Sequence, residues 1–242
     1  MSPRQAIIIG ASSGIGEALA GILSRNGYHL GLTARRRERL ESIQSRLPTT
    51  SEIREMDITD LVSARRILRE LIDTMGNVEL IVINAGVSAM HNPEWEKEQE
   101  IIATNVAGFV ATATITMDHF RTRGGGHLVG ISSIAGLAGF GRAAAYSASK
   151  AFVSTYMQGL RQRAVRTGQN ITVTDIKPGY VQTAMTEGRS GLFWNAPLDK
   201  AAEQIAAAIR DRRSHAYITR RWRLVGWVLK LVPDWLFVRL PL

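Results

Sequence analysis

The stretch Ala6-Ile7-Ile8-Ile9-Gly10-Ala11-Ser12-Ser13-Gly14-Ile15-Gly16 is the strongest indication of how this chain folds. Its opening apolar run predicts a strand that is buried on both faces, and the amphipathic pattern of residues 16–26 predicts a helix directly after it. The glycines permit a tight turn and a close approach of the backbone to a pyrophosphate, which the N-terminus of the helix would attract. A flexible surface loop is the alternative, but the flanking strand and helix favour a dinucleotide site. The candidate contacts are Gly10, Ser12, Ser13, Gly14, Ile15 and Gly16.

Short apolar runs alternate with helical patterns along most of the chain. This alternation predicts right-handed crossovers and an α/β fold: a doubly wound, mostly parallel sheet of the Rossmann type with helices on both faces. A (β/α) barrel of similar length is the competing architecture. Because no linker rich in proline or serine divides the chain, residues 1–219 are expected to form a single domain, followed by a tail of residues 220–242. The seven predicted strands are residues 6–9, 29–33, 52–56, 78–83, 127–132, 171–176 and 216–219.

The composition excludes several classes of protein. With 242 residues, of which 45% are hydrophobic and 21% charged, the chain has enough apolar material for one sizeable core, and intrinsic disorder is excluded. Cysteine is absent, so thiol nucleophiles, thiolate metal sites and disulfides are excluded as well. The five histidines form no i, i+4 pair, and we predict no metal site. The apolar run near Met1 is too short for a signal-peptide core, so we expect a cytoplasmic protein.

The positive charge is concentrated at one end of the chain. The formal net charge is +9, and residues 210–242 carry +6 of it, from eight basic and two acidic residues. A nucleic-acid-binding domain would spread such a charge over a working face. We therefore predict no nucleic-acid partner and assign the charge to the tail.

The residues after the second predicted strand bear on the choice of cofactor. Sites selective for NAD usually place an acidic side chain about 20 residues beyond the glycines, where it binds the ribose hydroxyls. Here three arginines follow the strand, and the first acidic residue is Glu38, already in the next predicted helix. A guanidinium group binds a 2′-phosphate through paired hydrogen bonds, although a solvated, basic start of the helix is the alternative. We predict NADP (NADPH), with Arg35 as the first candidate for the phosphate contact and Arg36 as the second.

A tyrosine and a lysine that are four residues apart mark the candidate reaction centre. Tyr146 and Lys150 begin a strong helical pattern, in which this spacing places both side chains on one face. An ammonium group near a phenol favours the phenolate, which suits the phenol to proton transfer near neutral pH. Alone, such a pair is a weak signal, because chance supplies many of them.

The order of the motifs resembles the short-chain dehydrogenase/reductase family over nearly the whole chain, to about residue 219. The resemblance implies an oxidoreductase that uses a nicotinamide cofactor to interconvert a carbonyl compound and an alcohol. It also implies a homodimer or homotetramer, built through the helices that begin near Asn105 and Tyr146. One position departs from the pattern, because Ile83 stands where many relatives have asparagine. The matching residues are the three glycines, Asp57 for the adenine, Asn84-Ala85-Gly86 beside the cofactor, Asn105, Ser133, Tyr146, Lys150, and Pro178-Gly179 with Thr183 next to the nicotinamide.

The resemblance also implies a role for each catalytic position. Tyr146 would give a proton to the developing alkoxide, and Ser133 would bind the substrate oxygen. Lys150 would hold the nicotinamide ribose and favour the tyrosinate, and Asn105 would support a proton relay through water. Because neighbouring residues of a strand face opposite ways, only one of Ser132 and Ser133 is expected to face the site. A non-catalytic protein that senses NADP(H) is the alternative function.

Residues 186–197 follow the Pro-Gly loop, and in the family the corresponding stretch closes over the substrate. Its glycines are candidate hinges and its large side chains offer an apolar lining, which predicts a hydrophobic carbonyl substrate. Packing beneath the lid or a subunit contact is the alternative role of these side chains. The hinges are Gly188 and Gly191, and the lining residues are Leu192, Phe193 and Trp194.

The tail departs from the pattern of soluble relatives. A largely apolar helix is predicted for residues 222–232, before Pro233, with three tryptophans in the tail and arginines just before the helix. Such a helix spans only about 16 Å, against about 30 Å of hydrocarbon, so it does not cross a bilayer. Tryptophans beside arginines suit an anionic membrane surface, which would make the protein peripheral at the inner membrane. A subunit interface and a cover for the substrate pocket are the alternatives.

Overall fold

The computed structural model describes residues 3–89, 94–188 and 193–240. Its strands are β1 (Arg4–Ile9), β2 (Tyr28–Ala34), β3 (Ser51–Glu55), β4 (Val78–Ile83), β5 (Gly126–Ile131), β6 (Ile171–Pro178) and β7 (His215–Ile218). They pair in the order β3-β2-β1-β4-β5-β6-β7, and every neighbouring pair is parallel. The predicted Rossmann-type sheet is therefore confirmed. The barrel alternative is wrong, because β3 and β7 stand at opposite ends of an open sheet.

Helices connect the strands and cover both faces of the sheet. The α-helices are α1 (Gly14–Arg25), α2 (Arg37–Gln44), α3 (Leu61–Met75), α4 (Trp95–Ile102), α5 (Phe109–Arg123), α6 (Ala144–Arg166), α7 (Leu198–Arg210), α8 (Trp222–Leu231) and α9 (Asp234–Phe237). A π-helical stretch, Ala103–Gly108, joins α4 to α5. Two 3-10 turns, Ile134–Leu137 and Gly141–Ala143, lie between β5 and α6.

The sheet has a core on each face, because successive residues of a strand point in opposite directions. In β1, Ala6 and Ile8 belong to the hydrophobic cluster that includes residues of α1, α2 and α7. Ile7 and Ile9 belong to the other cluster, with residues of α3, α5 and α6. Both faces of β1 are thus covered by helices, which explains why its apolar run is continuous rather than alternating.

A crevice is expected where the order of the strands reverses, beside β1. β2 lies on one side of β1 and β4 on the other, so the chain leaves them in opposite directions at the carboxyl edge of the sheet. Gly10 N donates a hydrogen bond to Thr33 O at 2.8 Å. The amides of Asn84 and Ala85 both donate to Ile9 O, at 2.9 and 2.8 Å. At the edge of the sheet that is predicted to bind the cofactor, backbone hydrogen bonds therefore hold the ends of β1, β2 and β4 together.

The segment Trp95–Arg123 is the one helix in the described ranges that is long and apolar enough to cross a membrane. Of its most apolar window, 61% is buried inside the fold. Phe109 and Phe120 of this segment belong to the core between the sheet and the helices. Packing within the fold explains the apolar character of this helix.

The tail packs onto the rest of the molecule through one face of α8. Trp222, the first residue of the helix, is only 3% exposed. A Cβ atom at Gly226 would lie 2.9 Å from the Tyr217 ring and 3.1 Å from Leu137 Cδ1, so this close packing requires glycine. After Pro233, α9 brings the Phe237 ring to 5.7 Å from that of Phe140. The tail thus contacts β7 and the segment between β5 and α6.

Candidate active site

Two glycines in the turn between β1 and α1 have a positive φ, and at Gly10 the surroundings also exclude a side chain. Gly10 has a φ of +87°, and a Cβ atom there would lie 2.6 Å from Ala85 Cα. Gly14 has a φ of +56°, and its Cβ would lie 3.2 Å from Thr183 Cγ2 in the loop after β6. Both conformations are ones that glycine adopts without strain. The turn therefore brings together the loops that follow β1, β4 and β6.

The start of α1 has the features of a phosphate site. Ser13 is the N-cap residue, yet its side chain makes no capping hydrogen bond. The hydroxyls of Ser12 and Ser13 accept hydrogen bonds from Arg36 Nη2, at 3.1 and 3.2 Å, and Ile15 packs against the core. N–H groups at a helix start and the positive end of its dipole attract an anion, and here a guanidinium lies beside them. These residues fit the phosphates of a dinucleotide.

The two candidate arginines point to different places. Arg36 reaches the glycine-rich turn, whereas Arg35 Nη1 lies 4.0 Å from Glu100 Oε1 of α4. Arg36, the second candidate of the sequence analysis, is therefore the arginine that contacts the glycine-rich turn. Asp57 Oδ1, after β3, accepts hydrogen bonds from the amide and the hydroxyl of Thr59, at 2.9 and 2.8 Å. Those two bonds fix the carboxylate at the same edge of the sheet.

The residues after β4 link the glycine-rich turn to the candidate reaction centre. Asn84 Nδ2 donates a hydrogen bond to Gly10 O at 2.7 Å. Two residues further on, a Cβ atom at Gly86 would lie 3.2 Å from Asn105 Oδ1 and 3.2 Å from Lys150 Nζ. The polar ends of two predicted catalytic side chains therefore converge on the backbone at Gly86, where a larger residue would push them apart.

Asn105 lies in the π-helical stretch, and its amide group joins three segments of the fold. Its Oδ1 accepts from Val87 N at 2.9 Å, and its Nδ2 donates to Val87 O at 2.9 Å and to Ser149 Oγ at 3.0 Å. Ser149 Oγ in turn donates to Tyr146 O at 2.7 Å. π-Helical insertions are frequent at functional sites. These bonds run to the loop after β4 and to α6, so Asn105 is more than a polar residue bonded within its own helix.

Lys150 is buried beside Tyr146 near the start of α6. Its Nζ donates to Ile131 O at 2.9 Å and lies 5.8 Å from the centroid of the Tyr146 ring. Burial lowers the pKa of Lys150 to about 8, and the negative charge of Asp175 opposes part of that change. The four-residue spacing on one helix accounts for the proximity of the ammonium and the phenol.

The two serines at the end of β5 have different surroundings. Ser132 Oγ donates to Asp175 Oδ1 and lies 3.0 Å from Ile176 O, so its hydroxyl is engaged inside the fold. Ser133 Oγ accepts from Ala135 N at 3.1 Å, and its contact with Pro178 O is long, at 3.4 Å. Ser133 therefore stands between the 3-10 turn after β5 and the Pro-Gly loop after β6, with a hydroxyl proton that is weakly held.

A buried ion pair behind the serines is absent from the sequence interpretation. Lys177 Nζ contacts Asp175 Oδ2 and donates to Ser154 Oγ at 2.9 Å. Two residues apart on β6, Asp175 and Lys177 point to the same face of the sheet. The available signal was this pair of opposite charges in a predicted buried strand. Through its hydrogen bond from Ser132, the pair borders the candidate site.

Trp222 is a second residue that the sequence interpretation did not assign to the site. A side chain at Gly179 would overlap its indole, so the helix start packs directly on the Pro-Gly loop. The ring of Tyr180 lies 5.6 Å from that of Trp222, and those of Phe193 and Trp194 lie 5.0 and 5.9 Å away. No feature of the sequence pairs position 179 with position 222. Two predicted lid residues, Gly191 and Leu192, lie outside the described residues.

Comparisons with known proteins agree with this architecture. The family model described as short chain dehydrogenase matches residues 4–191. An uncharacterized oxidoreductase of Myxococcus xanthus is 40% identical over 192 residues, which cover 77% of this chain and 75% of the relative. Another, of Mycobacterium tuberculosis, is 34% identical over 225 residues, which cover 89% of this chain and 88% of the relative.

Two solved structures are similar to this chain over most of its length. A short-chain dehydrogenase from Sphingobium yanoikuyae in complex with NADPH is 25% identical, with a TM-score of 0.80, and the match covers 96% of this chain and 97% of that chain. The structure of ElxO with NADP bound is 22% identical, also with a TM-score of 0.80, and the match covers 92% of this chain and 99% of that chain. The second likeness is one of fold.

Proposed function

Since this chain belongs to the short-chain dehydrogenase family, we propose that it is an oxidoreductase that interconverts a carbonyl compound and an alcohol with NADP(H). The observation that carries the proposal is the convergence of Lys150 and Asn105 on the backbone at Gly86, with Tyr146 beside the lysine. Burying an ammonium group is unfavourable for folding, and such perturbed groups cluster at functional sites. The family supplies the general class of reaction, an oxidoreduction.

The choice of NADP(H) is supported by the charge beside the glycine-rich turn. Arg35 and Arg36 follow β2, where a site selective for NAD would carry a carboxylate. Two similar solved structures are described with NADP or NADPH bound. In this proposal the cofactor contacts are Gly10, Ser12, Ser13, Gly14, Ile15 and Gly16 for the pyrophosphate, Arg35 or Arg36 for the 2′-phosphate, Asp57 for the adenine, and Asn84, Ala85, Gly86, Tyr146, Lys150, Pro178, Gly179 and Thr183 for the nicotinamide half.

In this reaction, side chains of the protein transfer a proton to the substrate oxygen. When bound, NADPH supplies the hydride that reduces the carbonyl carbon. Tyr146 donates its phenolic proton to the oxygen as negative charge develops there, and it takes a proton from the alcohol in the opposite direction. Ser133 donates a hydrogen bond to the same oxygen and stabilises its charge, since the 3.4 Å contact with Pro178 O holds that proton only weakly.

Lys150 and Asn105 act on Tyr146 from inside the fold. With a pKa of about 8, Lys150 is positively charged at neutral pH, and its charge favours the phenolate of Tyr146. In this proposal it also holds the nicotinamide ribose. Asn105 reaches the backbone of Tyr146 through Ser149, and it supports the water relay that returns a proton to the phenol.

A hydrophobic substrate is supported by the aromatic side chains around the Pro-Gly loop. The rings of Phe193 and Trp194 lie 5.3 Å apart, and both lie within 6 Å of the Trp222 ring. Phe193 is 52% exposed, so a large apolar ring is presented at the surface of the loop rather than buried beneath it. An apolar carbonyl compound would bury such rings with a gain in free energy.

The test of the proposed function is turnover by a pair of matched tyrosine variants. Purified protein is mixed with NADPH and a panel of aliphatic and aromatic ketones and aldehydes, and the loss of NADPH absorbance is followed. Tyr146→Phe removes the proposed proton donor, and we expect kcat/KM to fall by roughly 10²- to 10⁴-fold. Tyr156→Phe removes a hydroxyl from the same helix, where the ring packs on Phe152, and should leave turnover unchanged.

Two outcomes would contradict this function. Equal turnover by Tyr146→Phe and the wild-type protein would remove the tyrosine from its proposed role. Tight binding of NADPH by the wild-type protein, without turnover of any carbonyl or alcohol in the panel, would favour the NADP(H)-sensing alternative.

We also propose an oligomeric state and a location for this enzyme. We place it in the cytoplasm as a homodimer or homotetramer, with residues 1–219 as its domain and residues 220–242 as a tail. The subunits would meet through α5 and α6, and exposed apolar side chains on and next to these helices, Ile102, Phe152 and Val165, support that contact. Sedimentation equilibrium would measure the assembly, and a monomer at micromolar concentration would contradict it.

A further inference from the structure

The outer face of α8 exposes a continuous apolar stripe. Leu224, Trp227, Val228 and Leu231 recur at the spacing of one helical face, and they are 60, 52, 59 and 82% exposed. The inner face carries the buried Trp222, so the helix is apolar on both sides. We call the exposed stripe, together with Trp235 of α9 (63% exposed), the tail face. A soluble protein rarely leaves such a patch uncovered without a partner.

Arginines border the tail face and contact its aromatic rings. Arg223 Cζ lies 4.8 Å from the centroid of the Trp227 ring, and Arg239 Cζ lies 5.9 Å from that of Trp235. Tryptophan beside arginine is the combination that membrane interfaces favour, because the indole has an apolar body and a polar N–H while the guanidinium stays among the headgroups.

A cavity next to the tail face is lined with positive charge. It measures about 460 Å³ and lies between α7, β7 and the start of α8. Arg213, Arg220 and Arg223 line it together with Tyr217 and Trp227, and no aspartate or glutamate is among its lining residues. Trp227 belongs both to this cavity and to the tail face. Within the cavity, Arg213 Nη2 is paired with Asp211 Oδ2 at 2.9 Å, so the positive charge for a phosphate group comes from Arg220 and Arg223. The acyl chains attached to that phosphate would meet the stripe.

We propose that the tail face docks on the surface of an anionic phospholipid bilayer, with headgroup phosphates entering the arginine-lined cavity. The ten residues of α8 span about 15 Å, so the helix lies in the interface and does not cross the hydrocarbon. Apolar burial and attraction to anionic lipid act together at such a surface. This docking does not depend on the proposed reaction.

A bilayer fits the tail face better than a second copy of the chain. A two-fold contact would place the same surface of both copies together, and residues 210–242 carry a net charge of +6 in each. Two such segments in contact would repel each other, whereas an anionic bilayer attracts each of them.

The test is sedimentation with vesicles at 0.1 M salt. Wild-type protein is mixed with vesicles of phosphatidylcholine and phosphatidylglycerol in equal parts, or of phosphatidylcholine alone, and the bound fraction is measured. We expect binding to the first kind at least about tenfold tighter than to the second, and most of it should be lost in 0.5 M salt. Leu231→Gln removes apolar surface and should weaken binding about tenfold. Val62→Gln on α3, where the valine is 81% exposed, is the matched control and should bind like the wild-type protein.

Charge reversal tests the cavity separately. Arg220→Glu with Arg223→Glu should weaken binding to the anionic vesicles by more than about tenfold, whereas Arg65→Glu with Arg69→Glu on α3 should have less than a threefold effect. Turnover of NADPH without vesicles should be the same in all of these variants, so a failed reaction and a failed docking are distinguishable.

Equal sedimentation of wild-type protein with both kinds of vesicle, or no effect of Leu231→Gln, would overturn the proposal. A Leu231→Gln variant that changes only the oligomeric state would overturn it too, in favour of a subunit contact.

Discussion

The floor of the candidate active site and the tail face are built on opposite principles. In the floor, which we define as Gly86, Asn105, Ser133, Tyr146 and Lys150, buried polar groups are held by hydrogen bonds from several segments. In the tail face, large apolar side chains stand exposed on a single helix. Each region carries groups that are unfavourable where they stand, a buried ammonium in one and uncovered apolar surface in the other. In the two proposals above, a bound ligand compensates each of these costs: the cofactor and substrate at the floor, and a lipid surface at the tail face.

The largest predicted change in activity comes from removal of the buried ammonium group of Lys150. Lys150→Met should lower kcat/KM by roughly 10²- to 10³-fold, because Tyr146 loses the charge that favours its phenolate. The same change should raise the free energy of unfolding at pH 7 by up to about 3 kcal/mol, since burial has lowered the pKa of the lysine to about 8. Activity is measured with NADPH and stability by urea denaturation, with the exposed Lys200→Met on α7 as the control.

The pH dependence of that stability difference has a definite sign. Below pH 8 the lysine is protonated in both the folded and the unfolded state, and the folded state bears the full cost of the buried charge. Between pH 8 and the ordinary pKa of 10.5, the unfolded chain binds more protons than the folded one, so the wild-type protein gains stability as the pH rises. The advantage of Lys150→Met should therefore shrink over this range. An advantage that grows there would show that the lysine is not buried as described.

The second-largest effect is expected at the two arginines after β2, one of which is proposed to bind the 2′-phosphate. Arg36→Glu should raise the KM for NADPH roughly 10- to 100-fold and leave that for NADH nearly unchanged, because a carboxylate would repel the 2′-phosphate. Arg35→Glu is the paired variant, and we expect less than a fivefold effect from it, since Arg35 is directed toward Glu100. The opposite order of effects would restore the ranking that the sequence favours.

Much of the fold follows from local sequence patterns, because buried parallel strands carry a signal within a few residues. The run at 6–9 gave the position of β1, and the predicted strand 78–83 coincides with β4 (Val78–Ile83). The glycine-rich turn was equally accessible, since its backbone conformation constrains the residue type directly. Arg35 and Arg36 were named from their position after β2, but which of them reaches the serines depends on side-chain packing that adjacent positions do not encode.

Contacts between distant segments were the part that the sequence did not reveal. The bonds from Ser132 and to Ser154 that fix the Asp175–Lys177 pair depend on where β5 and α6 lie against β6. The packing of Trp222 on Gly179 depends on where α8 meets the loop after β6. The largely apolar sequence of α8 does not show which of its sides is covered or which surface covers it. The placement of Trp222 therefore had to come from tertiary structure.

The smallest predicted effect concerns Trp222, a tail residue that belongs by contact to the site. Trp222→Phe keeps an aromatic ring but reduces its contact with Gly179 and Phe193, and we expect the KM for NADPH to rise about threefold. The free energy of unfolding should change by less than about 1.5 kcal/mol. Trp227→Phe, on the exposed side of the same helix, should leave both quantities unchanged. Identical KM values in the two variants would mean that the packing on the Pro-Gly loop has no influence on the cofactor.

Helix α8 has one further consequence for how a substrate arrives. Its inner side rests on the Pro-Gly loop and its outer side carries the tail face, so only the diameter of one helix, about 10 Å, separates them. If the outer side lies flat on a bilayer, the orientation of the whole molecule is fixed, and the Pro-Gly loop lies about one helix diameter from the lipid. An apolar ketone dissolved among the acyl chains would then reach the enzyme by lateral diffusion. Its effective concentration would be set by partitioning into lipid rather than by solubility in water.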